Sequence, residues 1–230
     1  MPEDRYEVDA MADEYAVSPE NRVRQLREKA AYDRQTVHGI LDSALHASVG
    51  FVEDGRPVVV PMIFGRDGET LYLHGARKAR VVRWLDETRR ACVNVTLVDG
   101  LVFARSAFNS SLNYRSVTVF GAPRLVDSDD EKLKALEIIS EHTMPGRWAE
   151  LRAPLEKELK MTGVIALEIE SASAKVATGM PEDEEEDYDI PVWAGVLPVT
   201  TRTGELDTDP LVPDGIEPGA AVRALQHRQI

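Results

Sequence analysis

One short stretch of the chain combines the residue types that a planar, phosphorylated ligand needs. Residues 71–74 have the composition of a strand, Gly75 follows them, and Arg77 and Lys78 come next, where a helix is predicted to begin. A strand edge offers backbone groups to ring heteroatoms, and cations beside a helix N-terminus bind phosphate. The same residues also permit a plainer interpretation, in which Arg77 and Lys78 are solvated surface charges.

Four further features have both a chemical and a structural interpretation. His74 ends its strand and either donates a proton to a bound ring or bonds to nearby backbone. Trp193 either stacks on a ring or fills a seam between subunits. Cys92, the single cysteine, alternates with apolar neighbours and is predicted to be an inert, buried thiol. The acidic residues 182–187 are predicted to form a solvated loop, with a docking role as the less favoured alternative.

Bulk properties and missing motifs exclude several classes of protein. The chain has no GxGxxG, P-loop, HExxH or GxSxG signature, and its five histidines lack ligand spacing, so no metal site is predicted. A net charge of −13 without a basic cluster argues against nucleic acid and anionic membrane surfaces. One cysteine, no signal peptide and no apolar run of about 20 residues indicate a cytoplasmic protein without a membrane partner.

Periodicity predicts many short strands and few helices. Helices are expected after Asp33 as N-cap, over residues 77–85, and from Ser128 to about Thr143. Strands are expected at residues 47–52, 57–64, 70–74, 91–98, 101–104, 115–126 and 163–171, with a turn at Asp99-Gly100. This pattern favours a barrel or sandwich over a doubly wound sheet.

The order of these elements resembles the FMN-binding split β-barrel superfamily, which includes the pyridoxamine 5′-phosphate oxidases, and within it the branch of the nitroimidazole-resistance reductases. The likeness rests on residues 56–64, 71–78, 113–121, 131–132, 145–148 and 191–198. It implies a mainly β (α+β) split barrel with a few peripheral helices at residues 33–199. Residues 1–32 would be an N-terminal extension, mobile or wrapped around a partner over its first 18 residues, and residues 200–230 a C-terminal tail.

The resemblance also implies a homodimer with one FMN per subunit at the interface. It assigns Val60, Pro61 and Met62 to the isoalloxazine edge, His74 and Gly75 to the ribityl chain or ring, Arg77 and Lys78 to the phosphate, and Tyr114, Arg115, Ser116 and Trp193 to the completion of the site. His74 is the candidate catalytic residue.

Two departures from the oxidases bear on activity. Residues 58–63 contain no Lys or Arg, and the C-terminal Arg/His pair that binds vitamin B6 phosphate in those enzymes is missing. Flavin binding is therefore expected without pyridoxamine phosphate oxidation. The first hypothesis is an oxidoreductase that passes electrons from a nicotinamide or deazaflavin donor to a small acceptor. The alternatives are a non-catalytic flavin- or haem-binding carrier or sensor, and an interaction protein that has lost its cofactor.

Overall fold

The structure, a computed structural model, describes residues 13–230, which form two antiparallel sheets with helices around them. The helices are α1 (Arg34–Asp42), α2 (Arg80–Thr88), α3 (Asp129–Thr143), α4 (Glu156–Met161) and α5 (Ala220–Leu225). The strands are β1 (Ala30–Ala31), β2 (Ala47–Glu53), β3 (Arg56–Met62), β4 (Phe64–Asp67), β5 (Thr70–Ala76), β6 (Ala91–Phe103), β7 (Ser111–Gly121), β8 (Pro123–Leu125), β9 (Thr162–Glu168), β10 (Ser171–Ala177) and β11 (Gly195–Pro198).

The two sheets pack into a split barrel, as the family resemblance implied. The seven-stranded sheet runs β1-β10-β7-β6-β2-β3, with β11 pairing with the C-terminal half of β6. The four-stranded sheet runs β4-β5-β9-β8. Both sheets contribute to one hydrophobic core, in which Val49, Val93 and Val117 meet Phe64 and Leu167.

The two predicted helix caps are confirmed. A side-chain oxygen of Asp33 accepts a hydrogen bond from the Thr36 amide at 2.7 Å, and the Ser128 hydroxyl accepts one from the Glu131 amide at 3.4 Å. α2 is displaced from its predicted position, however. Ala79 is still extended, with φ −62° and ψ 143°, and the helix continues past the predicted end at residue 85 to Thr88.

The predicted turn at Asp99-Gly100 is wrong. β6 is one strand of 13 residues whose register shifts between Val98 and Gly100, which is the signature of a bulge. A bulge bends the strand without reversing it. The two ends of β6 can therefore have different partners, β2 at one end and β11 at the other.

Two predicted single strands are each divided between the sheets. Residues 115–126 split into β7 and β8 at Ala122, and residues 163–171 split into β9 and β10 at residues 169–170. The two crossings touch each other, because a Cβ on Gly121 would lie 2.0 Å from the Glu168 carbonyl oxygen. Only glycine permits this approach, so the crossing depends on a contact 47 residues away in sequence.

Both ends of the described chain pack against the barrel. Tyr15 is buried and its hydroxyl donates to Glu69 at 2.6 Å, while β1 pairs with β10. Residues 1–12 of the predicted mobile extension lie outside the described residues. In the tail, the Ala221 amide donates to Glu150 at 2.9 Å.

Across residues 13–230, no helix has the length and apolar character needed to cross a membrane.

Candidate functional site

The strand ends that sequence analysis singled out lie side by side. β3 ends at Met62 and β4 begins at Phe64, which pairs with Leu73 on β5. Continuing this antiparallel register by one residue places Ile63 opposite His74. The end of β3 and the end of β5 therefore lie at the same edge, where the chain passes from one sheet to the other.

His74 lies at this edge with its imidazole free of protein partners. Its side chain is half-buried and makes no hydrogen bond or ion pair within residues 13–230. Burial lowers the pKa of His74, so the ring is neutral near pH 7. The sequence left two roles open for His74: proton donation to a bound ring, or a hydrogen bond to nearby backbone. The structure does not show the hydrogen bond to backbone.

Gly75 lets α2 approach the sheet behind this edge. It pairs with Gly163 on β9, and a Cβ on Gly163 would lie 2.7 Å from a methyl group of Val82. The Arg77 amide, in turn, donates to the Met161 carbonyl at 2.9 Å. These contacts hold the loop between β5 and α2 in place.

Arg77 and Lys78 lie on that loop as exposed cations. In the described part of the chain neither side chain forms an ion pair, whereas the neighbouring Arg80 pairs with Glu53 at 3.2 Å. α2 is nine residues long and Ala79 gives its first turn no side-chain cap. Open N–H groups at a helix start beside two unpaired cations are well suited to bind a phosphate.

The residues predicted to complete the site lie elsewhere in the subunit. Tyr114, Arg115 and Ser116 pair with β6, and β7 is three positions from β3 in the sheet, about 14 Å at the usual strand spacing. Two hydrogen bonds of 2.9 and 2.8 Å also join the Arg115 guanidinium to Asp99. The strand order does not place these residues next to β3, so their assignment to the site stays a prediction.

Trp193 is on the same distant side of the sheet. Its side chain is exposed, its ring centre is 5.9 Å from that of Phe103, and the ring lies over Gly195, where a Cβ would collide with it. Other exposed apolar side chains lie on β6, β7 and β11 and on the loop between β6 and β7. We call this surface the aromatic arm; it comprises Phe103, Phe108, Leu112, Trp193 and Leu197.

The acidic residues 182–187 are not simply a solvated loop, which corrects the prediction. The Asp183 side chain is fully buried and pairs with Arg105 at 2.9 Å. The Arg105 guanidinium also lies over the Tyr188 ring at 5.1 Å. Sequence analysis missed this pair because its members are far apart in the chain and carry no local signal.

Sequence analysis also missed two cavities beneath the C-terminal tail. One has a volume of about 580 Å³ and the other about 330 Å³, and both are bounded by Leu45 and Ile230. His142 lines the larger cavity and His46 the smaller one.

No group of three or more His, Cys, Asp or Glu side chains suited to a metal ion occurs within residues 13–230. Cys92 is half-buried and burial raises its pKa, in keeping with an unreactive thiol.

Comparison with known proteins identifies the class. The sequence model of the pyridoxamine 5′-phosphate oxidase family matches residues 33–176, more than half of the chain. The chain belongs to this family, and the resemblance stated from its sequence is confirmed. No protein of curated function gives a significant match.

Solved structures place it more closely. The flavocytochrome Anf3 from Azotobacter vinelandii is 36% identical with a TM-score of 0.86, covering 92% of this chain and 98% of its own. The FAD and haem binding protein from Mycobacterium smegmatis is 40% identical with a TM-score of 0.83, covering 86% and 98%. A putative 5-nitroimidazole antibiotic resistance protein from Bacteroides thetaiotaomicron, 24% identical with a TM-score of 0.56 and covering 64% and 86%, shares the fold.

Proposed function

We propose that this chain is a flavin-binding redox protein. The observation that carries the proposal is the edge where the unbonded, neutral imidazole of His74 lies beside Gly75 and the unpaired cations Arg77 and Lys78. Family membership supports it, as do the two relatives above 35% identity, one a flavocytochrome and the other a protein that binds FAD and haem.

The described residues fit a flavin in two respects. β3 is at the end of its sheet, so alternate residues along it direct their backbone groups away from β2, where they are available to ring heteroatoms. Pro61 lacks an N–H and can only accept. The phosphate would bind to Lys78 and Arg77 beside the open N-terminus of α2.

The form of the flavin is a separate question. The adjacent cations Arg77 and Lys78, without a dinucleotide fingerprint, suit the one phosphate of FMN. The relative with 40% identity binds FAD, which favours the dinucleotide. The two forms share the ring, the ribityl chain and the first phosphate, so the assignments above hold for either.

The flavin, when bound, would supply the redox chemistry, and the chain's own residues would position it and exclude water. A neutral His74 can donate or accept a hydrogen bond at the ring without adding charge. The donor would be a reduced nicotinamide or deazaflavin and the acceptor a small molecule. Pyridoxamine phosphate is a poor candidate, because residues 58–63 offer no cation to position it.

The working unit in this proposal is a cytoplasmic homodimer. Tyr114 and Ser116 lie on β7, three strands from β3 in the sheet, and in this proposal a partner subunit brings them and Trp193 to the flavin. The aromatic arm leaves Phe108 91% and Trp193 69% exposed, and such a patch is typical of a protein interface. Sedimentation at low concentration tests this: a flavin-loaded monomer would contradict the shared site.

A second function is favoured by a specific observation. Of the two relatives above 35% identity, one is described as a flavocytochrome and the other as a protein that binds FAD and haem. We therefore include a haem in the proposal and regard the chain as a flavocytochrome-like electron carrier or oxidoreductase. Absorbance spectra of the purified chain, before and after addition of reduced nicotinamide, test the redox role. Flavin bleaching by a nicotinamide supports an enzyme, whereas bleaching by dithionite alone supports a carrier.

A further inference from the structure

A buried lysine, Lys132, lies on α3. Its side chain is 3% exposed, and it is on the same face of α3 as Ala135 and Ile139, which pack against the four-stranded sheet. Lysine is rarely buried to this extent, because its amino group loses its hydration. An apolar side chain would fill the same space without that loss. The amino group of Lys132 is therefore expected to act through the partners that it binds.

The stronger partner of Lys132 is the end of α4. Nζ of Lys132 donates to the Leu159 carbonyl oxygen at 3.3 Å and lies 3.5 Å from the Asp129 carboxylate. The Asp129 side chain is 69% exposed, and an ion pair at the solvent boundary contributes little. The last carbonyls of a helix carry partial negative charge, so a cation there is favoured. The bond to Leu159 is therefore the one that the buried amino group serves.

α4 has few other bonds to the rest of the protein. None of its residues is buried, and the side-chain bonds of Glu158 and Lys160 stay within residues 152–160. Within residues 13–230, two hydrogen bonds join α4 to more distant segments, one from Lys132 and one from the Arg77 amide. The position of α4 thus depends on these two bonds and on the strand that follows it.

The second of these bonds belongs to the proposed phosphate loop. The Arg77 amide donates to the Met161 carbonyl at 2.9 Å, two residues along the chain from the carbonyl that Lys132 binds. Met161 is the last residue of α4 and leads directly into β9, whose first residue pairs with the last residue of β5. The end of α4 therefore connects Lys132 to the loop that carries Arg77 and Lys78.

We propose that Lys132 is a positioning residue of the flavin site. It binds the end of α4, and α4, through the Arg77 amide, fixes the loop whose two cations hold the phosphate. The inference rests on the proposed flavin-binding function, and it assigns Lys132 an effect through α4 rather than through contact with the ligand. A variant without this amino group should keep the barrel and bind flavin more weakly.

The first test compares Lys132→Met with wild type in the full chain without ligand. Methionine keeps an unbranched side chain and removes the donor to the Leu159 carbonyl. Hydrogen exchange of the Arg77 amide, followed by NMR, should become about 3–10-fold faster relative to the β6 amides, the scale of one lost hydrogen bond. Lys132→Gln, which keeps an N–H donor on a shorter side chain, should give an intermediate rate and takes the place of Lys132→Met if that variant does not fold.

The second test measures flavin affinity by fluorescence titration with FMN and with FAD. The Kd of Lys132→Met should rise about 3–10-fold. Lys78→Ala should cost less affinity in Lys132→Met than in wild type, because a displaced loop already misplaces Lys78. A double-mutant cycle over these two positions measures that coupling. Additive effects would show that Lys132 only stabilises the barrel and would overturn the inference.

Two control variants test net charge and the ion pair. Lys134→Met removes a lysine of the same helix that is exposed and pairs with Asp67 at 2.6 Å, so it should change neither the Arg77 exchange rate nor the flavin affinity. Asp129→Asn removes the ion pair of Lys132 and should also leave both unchanged.

The outcomes separate this inference from the proposed function. An unchanged Arg77 exchange rate or flavin affinity in Lys132→Met would overturn the inference, as would equal effects in either control variant. A wild-type chain that binds no flavin would instead overturn the proposed function, and with it the role of Lys132 in the flavin site.

Discussion

The Asp183 carboxylate binds Arg105 at two points, accepting from its amide at 2.7 Å and from its guanidinium at 2.9 Å. The Asp183 side chain has no solvent exposure, and Nε of Arg105 is buried without a partner. Arg105 follows the end of β6, so the pair attaches the acidic loop to the β6–β7 hairpin. It thereby positions the segment that leads to Trp193 beside Phe103.

Asp183→Asn should lower the free energy of unfolding by about 1.5–3 kcal/mol, the usual worth of a hydrogen bond to a charged group. The substitution keeps the shape of the side chain but leaves the Arg105 guanidinium partly buried without a counter-charge. Urea denaturation measures the loss. Glu184→Gln is the control, since it removes the same charge from an exposed neighbour and should change stability by less than about 0.5 kcal/mol. Equal effects would show that Asp183 acts only through net charge.

Lys78→Ala should weaken flavin binding by about 1.5–3 kcal/mol, or roughly 10–150-fold in Kd, because a charge-assisted hydrogen bond to the phosphate is lost. Lys78→Arg should lose less. Fluorescence titration with FMN and with FAD measures both. Arg83→Ala, which removes an exposed cation one turn into α2, past its open N–H groups, should leave the affinity unchanged. If Lys78→Ala also leaves it unchanged, Lys78 is not part of the site.

Gly163→Ala should destabilise the protein by about 1–3 kcal/mol through overpacking. The added methyl group would lie 2.7 Å from Val82 and 3.1 Å from the Arg77 Cα, so α2 and the phosphate loop would have to move. Gly39→Ala is the control: it lies in α1 with no atom near the new methyl group, and it should stabilise the helix by up to about 1 kcal/mol. Thermal unfolding of both variants measures the difference. A Gly163→Ala variant with an unchanged Tm would contradict the close approach of α2 to β9.

His74 should make stability depend on pH in a defined direction. Burial lowers its pKa in the folded state below the ordinary value of about 6.5. The unfolded chain then binds more protons than the folded chain as the pH falls below about 6.5. The contribution of the neutral His74 to the free energy of unfolding is therefore complete above about pH 6.5. It is lost as the pH falls toward the lowered pKa. His74→Asn should lack this pH-dependent contribution to stability. The Tm difference between wild type and variant should therefore narrow from pH 7.5 to 5. A constant difference would show that the imidazole is solvated.

Local signals in the sequence predicted a large part of the fold. The caps at Asp33 and Ser128 and most strand cores depend on neighbours within a few residues, and each was found where expected. The bulge in β6 and the crossing at Gly121 depend on contacts across the barrel. A one-dimensional pattern cannot reveal which strand will lie opposite, so both were missed.

The candidate site divides in the same way. His74, Gly75, Arg77 and Lys78 are nearly contiguous in the chain, and the structure keeps them together at one edge. Arg115 instead pairs with Asp99, and the larger cavity beneath the C-terminal tail is formed from segments almost 190 residues apart. Such arrangements follow from the folded topology rather than from residue spacing, so no local pattern indicated them.

The identity of the molecule released when the purified chain is denatured tests the central claim most directly. Mass spectrometry should find about one flavin per subunit after reconstitution. FMN would support the form expected from the single cation pair at Arg77 and Lys78, and FAD the form found in the 40% identical relative. A chain that remains colourless and releases no flavin after reconstitution with either form would contradict the account.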